Sequence, residues 1–118
     1  MIWAKIASTL LFIGVGLGAF GAHALKEKLT PYAIDVFKTG VLYHLIHALG
    51  LFAVAWISTI NNDPRIFWAG IFLTVGIVLF SGSLYLLAVT GIKMFGAVTP
   101  LGGLSFLTGW VLLFLTIK

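Results

Sequence analysis

Four stretches of this chain contain no Asp, Glu, Lys or Arg: residues 6–25, 41–60, 66–89 and 101–117. A helix that crosses a bilayer needs about 20 apolar residues, within a workable range of about 17–25. An ionised side chain at mid-bilayer costs about 2.5–3.5 kcal/mol even on the mildest insertion scale. The four stretches therefore predict four spanning helices, and with them an all-α integral membrane fold in one domain covering residues 1–118. Composition agrees, because 8% charged residues cannot cover a soluble protein of this size, where about 25% is usual.

Charge and turn residues collect between the spans. Thr30-Pro31 reads as an N-cap followed by the first residue of a helix. Over residues 31–40, Ile34 and Phe37 share one side while Asp35 and Lys38 lie elsewhere. That pattern predicts a short amphipathic helix lying at the interface between spans one and two. Asn61-Asn62-Asp63-Pro64-Arg65 is a tight turn. Pro100 suits the first turn of the fourth helix. Lys5 and Ala22-His23-Ala24 give span one the outline of a signal peptide. Its apolar run is long for one, and span one is read as retained.

Four spans put both termini on one side. Face A then carries Lys5, Arg65 and Lys118, and face B carries Lys26, Lys28, Lys38 and Lys93. The margin leans towards a cytoplasmic face B. The scattered cations form no basic patch, so nucleic acid is not an expected partner; membrane lipids are. With no cysteine, the chain has no disulfide, thiolate site or iron–sulfur cluster.

Gly16-Leu17-Gly18-Ala19-Phe20-Gly21 spells a dinucleotide-binding fingerprint. That motif needs a preceding strand and an acidic residue about 20 positions later. Here it lies inside a spanning run, where a phosphate would sit in hydrocarbon. On a helix, Gly14, Gly18 and Gly21 fall within about 60° of one another. They form a small-residue groove that admits a neighbouring helix, from the same chain or from a second copy in a homo-oligomer. Gly102 and Gly103 offer the same in span four. Shifting span one by sixty places Phe12, Val15, Gly16 and Phe20 on Phe72, Val75, Gly76 and Phe80. The match is a faint sign of a duplicated hairpin.

Polarity within the spans is lopsided. His23 ends span one, His44 and His47 begin span two, and Tyr43, Ser81, Ser83, Tyr85, Thr99 and Ser105 fall in the same face B half. Of these, His23, Tyr43, His44, His47, Ser81, Ser83, Tyr85 and Thr99 form the candidate site for a lipid, a quinone or another small ligand. Three imidazoles also suit zinc or copper, and two suit haem iron. No span supplies a carboxylate, the H-x-x-H spacing lacks the glutamate of H-E-x-x-H, and G-x-S-x-G is absent. No metal ligands are therefore assigned, the cofactor is unknown, and the expected role is non-enzymatic. The rivals are a small transporter or channel, and a metal- or haem-binding membrane subunit. A proton-coupled exporter needs a membrane-embedded acid that these spans lack.

Four segments resemble a known family: "GAFGAHALK" (18–26), "FKTGVLYHLIHALGLF" (37–52), "LFSGSLYLLAVTG" (79–91) and "VTPLGGLSFLTGW" (98–110). Together, in this order, they resemble the YgdD/YwdK-type family of small four-span bacterial membrane proteins, whose function is uncharacterised. The resemblance implies a four-helix fold and a multi-pass location in the bacterial inner membrane, but no substrate. Its motifs fall on His23, Tyr43, His47, Ser81, Ser83, Tyr85, Thr99 and Pro100. At position 44 it implies Gln in many relatives.

Overall fold

The computed structural model describes all of residues 1–118. It contains four helices of spanning length: α1 (Ile2–Leu25), α2 (Pro31–Ile60), α3 (Arg65–Thr90) and α4 (Met94–Thr116). Consecutive helices are antiparallel neighbours in space. The bundle measures 48 × 26 × 17 Å, a slab rather than a cylinder. Helix α2 is the most enclosed, and α1 presents most of its surface outward. Phe12 and Phe20 on α1 are 82% and 75% exposed, which in a bilayer means contact with acyl chains.

Two expected boundaries are corrected. No separate interfacial helix exists over residues 31–40, because α2 runs unbroken from Pro31 to Ile60. Thr30 starts it, with its hydroxyl accepting from the Ala33 N–H at 3.1 Å. Nothing after Pro31 interrupts the ladder, and Gly40 is held in the helix by packing against Tyr85. Thirty residues rise about 45 Å, more than the roughly 30 Å hydrocarbon core, so the first turns of α2 reach headgroup level while still helical. Helix α4 likewise begins at Met94, which places Pro100 inside it rather than in its first turn. Pro100 has no N–H to offer the Gly96 carbonyl.

Helices α1 and α3 each contain one wide turn, in which the backbone ladder relaxes from i→i+4 to i→i+5. The turns span Leu17–Gly21 and Ile77–Ser81. They are offset by sixty residues, the spacing at which the sequence shows its faint repeat. Cross-helix ties recur in the same way. His44 of α2 reaches the Leu10 carbonyl of α1, and Ser105 of α4 reaches the Phe72 carbonyl of α3.

Packing uses glycine as the receiving surface. Gly14 lies against Leu45 and His44, Gly18 against Val41 and Gly21 against Phe37, so the α1 groove is filled by α2 of the same chain. Gly76 receives Phe106, Gly102 lies on the Phe80 backbone, and Gly109 receives Leu73, which locks α3 to α4. Trp3 fills the space over Gly70 and joins α1 to α3. The core between these contacts includes Ala48, Leu51, Val54, Ala69 and Leu73, all fully buried.

At the face A end, Asn61 donates to the Thr116 carbonyl at 2.8 Å, tying the 61–64 turn to the end of α4. Asp63 pairs with Arg65 at 2.6 Å. At the face B end, α3 closes on Gly91 in the left-handed region (φ 71°), whose N–H bonds the Leu87 carbonyl at 2.8 Å. A side chain there would be strained, so glycine is the residue that lets the chain turn back into α4.

Candidate functional site

The polar residues of the face B half divide into three groups. The first is a chain across three helices. His44 is buried, with Nε2 2.7 Å from the Leu10 carbonyl and Nδ1 2.8 Å from the Tyr85 hydroxyl. A carbonyl only accepts, so Nε2 carries the proton. In the neutral ring Nδ1 then accepts from the Tyr85 O–H. Both ring nitrogens are engaged, leaving no lone pair for a metal or haem iron.

The second group is a pair of hydroxyl ties. Ser81 Oγ, fully buried, donates to the Gly40 carbonyl at 2.6 Å and joins α3 to α2. Ser83 Oγ lies 2.6 Å from Thr99 Oγ1 and joins α3 to α4. Every buried side-chain nitrogen and oxygen in the molecule has a partner. In a bilayer such bonds hold helices together, at about 0.6–2 kcal/mol each.

The third group is an aromatic stack. His47 Nδ1 donates to the Tyr43 carbonyl one turn back, at 2.8 Å. Its ring lies flat on Phe106, centroid to centroid 3.6 Å, with Trp110 at 5.6 Å. Tyr43 packs on Phe80 at 4.5 Å. Thus α2 and α4 meet through aromatic faces rather than through backbone approach.

His23 belongs to none of these. It is exposed near the end of α1. The register explains why. Gly14 sits beside His44 and Gly21 beside Phe37, so His23 is level with residues near 35. That is about nine residues, or about 13 Å of helix rise, from His44. No group of three His, Asp or Glu side chains is brought to metal-ligating range. Gly103 also stands apart from the close contacts, with Phe80 at 4.0 Å from where its Cβ would be.

A cavity lies elsewhere, at the face B rim. It has a volume of about 520 Å³ and opens between the start of α2 and the α3–α4 turn. Ala33, Val36, Leu87 and Ala88 form its apolar wall, and Lys28 and Lys93 stand in its lining. The sequence carried one signal for it, the lysines flanking the spans. What was missing was that the 26–30 and 91–93 connections lie side by side.

Residues 17–103 match the model of a family described as a protein of unknown function, DUF423. The chain belongs to this family. Among its relatives, the UPF0382 membrane protein YwdK of Bacillus subtilis is 49% identical over 86% of this chain and 83% of its own length. The UPF0382 inner membrane protein YgdD of Escherichia coli is 40% identical over 96% of this chain and 84% of its own. A Staphylococcus haemolyticus relative, UPF0382 membrane protein SH2409, is 45% identical over 88% of the chain and 84% of its own. No solved structure matches. Relatives named as membrane and inner membrane proteins, together with the four apolar helices, make this a multi-pass protein of the bacterial cell membrane.

Proposed function

We propose that this small multi-pass protein is non-enzymatic and binds an amphiphile from the bilayer, in the rim cavity rather than among the His/Tyr/Ser residues. The observation that carries the reading is the contrast between the two places. His44, Tyr85, Ser81, Ser83 and Thr99 spend their hydrogen bonds on one another and on carbonyls. A ligand seated among them would have to break ties that hold all four helices. The rim cavity, in contrast, offers about 520 Å³ with mixed walls beside the charged connections that join the spans. That is the size and lining of a small-molecule site. Membrane lipid is the partner class present there.

Native mass spectrometry of the protein released gently from membranes tests this. A stoichiometric lipid-like adduct is expected, and Ala33→Trp, which fills the cavity, should remove it. A bare protein, under conditions that keep lipid on a control membrane protein, would overturn the reading. The same spectrum reports copy number and so tests self-association. The α1 glycine groove no longer argues for a second copy, because α2 fills it.

A further inference from the structure

Resting on the amphiphile reading above, we propose that the rim cavity selects a phosphate-bearing anionic headgroup, held between Lys28 and Lys93 with its acyl chains against the α2–α3 wall. The two lysines come from different connections, one before α2 and one before α4, and meet around a single cavity. No Asp or Glu lines it. The molecule's one side-chain ion pair, Asp63–Arg65, lies at the opposite face. Glu27 and Asp35 are near in sequence but are not part of the lining.

Two unpaired ammonium groups over an apolar wall match one chemistry. A lysine is a compact point charge that binds phosphate without demanding a fixed plane. Its methylene stem can lie along apolar surface while the ammonium stays at the polar edge. Thr30, Tyr32 and Thr90 also line the cavity. Thr30 accepts from Ala33 and Thr90 donates to Leu86, so they add polarity without adding negative charge. Two helices start and two end at this face, so helix dipoles largely cancel and the lysines decide the sign. Below them, Val36 and Leu87 lead toward the hydrocarbon layer, where a lipid, unlike a free anion, has chains to place.

The test uses the full-length protein in detergent micelles with equimolar phosphatidylglycerol and phosphatidylcholine of identical chains, read by native mass spectrometry. A lysine near an anionic lipid is worth about fivefold in binding, so two predict a preference of about 25-fold for phosphatidylglycerol. Lys28→Gln and Lys93→Gln should each lower it about fivefold, and together bring it near parity. Lys5→Gln with Lys118→Gln, at face A, should leave it unchanged. Helical circular dichroism and melting temperature check that each variant folds.

Equal retention of both lipids by the native protein overturns headgroup selection and leaves the amphiphile reading standing. Retention of neither overturns both. A third arm adds inorganic phosphate to lipid-depleted protein. If phosphate protects Lys28 and Lys93 from amine modification while neither lipid is retained, the site takes a free anion and the lipid proposal fails.

Discussion

His44 and Tyr85 meet across α2 and α3 at 2.8 Å, with the other nitrogen of the same imidazole 2.7 Å from a carbonyl of α1. One side chain therefore joins three of the four helices. Its replacement should distinguish shape from bonding. His44→Leu removes two bonds and leaves the Tyr85 hydroxyl without its acceptor, a loss of about 1–3 kcal/mol. His44→Gln keeps a donor and an acceptor on one side chain and should retain most of the stability. Thermal unfolding in detergent compares them, and equal losses for Leu and Gln would mean that packing, rather than bonding, matters at position 44.

Glycines in this fold divide sharply by what surrounds them. A Cβ on Gly102 would collide with the Phe80 backbone, which cannot swing aside as a side chain can. Gly102→Ala should cost about 1–3 kcal/mol through overpacking. Gly16 and Gly82 have nothing within 4 Å of such a Cβ. Gly82→Ala should be neutral, or stabilising by up to about 1 kcal/mol through helix propensity. Melting temperatures of the two variants, one far below and the other at or above the native value, check this.

The hydroxyl ties should be weak singly and coupled to their partners. Ser83 and Thr99 share one bond, so Ser83→Ala and Thr99→Val should each cost about 1 kcal/mol, and the double variant little more than either. A double-mutant cycle on unfolding free energy reads the coupling; full additivity would mean that the bond contributes nothing.

At the face A turn, the Arg65 guanidinium beside Asp63 pulls its carboxyl down to about 2 from 3.8. The folded-state value lies below the unfolded one. Whatever the pair contributes is therefore present above pH 3.8 and lost as pH falls through about 2. Chemical-shift titration of the Asp63 carboxyl should show that low midpoint, and Arg65→Ala should return it toward 3.8.

The absence of cysteine makes orientation simple to read. Anionic lipid gives the cytoplasmic leaflet its negative surface, so a lysine-rimmed cavity fits face B inside the cell. A single Glu27→Cys should react with a membrane-impermeant maleimide only after lysis, and Asn62→Cys in intact cells. The reverse pattern would invert the assignment, and half-labelling of both would show dual orientation.

The four spans were legible because charge exclusion is a property of composition, and needs no knowledge of neighbours. Thr30-Pro31 was legible because a cap is local. Residues 31–40 misled because an amphipathic start and a separate helix look alike until the ladder through Gly40 is seen to continue. Pro100 misled because proline is also tolerated inside a membrane helix where neighbours enclose it. His23 was grouped with His44 and His47 because span one ends and span two begins at the same face, whereas register along the α1–α2 contact separates them. The lysine cavity depends on two connections sixty-odd residues apart lying together, which spacing does not disclose.

The wide turns set the angular phase of α1 and α3. An i→i+5 loop takes in one more residue than a regular turn, so residues beyond it are displaced by about 100° around the axis. Before its wide turn, α3 presents Leu73 and Gly76 to α4. At its end Ser81 meets α2 at Gly40, and beyond it Tyr85 meets α2 at His44 while Ser83 meets α4 at Thr99. The spare residue works as a rotational joint fixed in one setting, bringing Tyr85 round to His44 of α2 while Ser83 still reaches Thr99 of α4. Deleting one residue there would lengthen nothing and break no span, yet it would turn every later side chain of α3 out of phase with its partners.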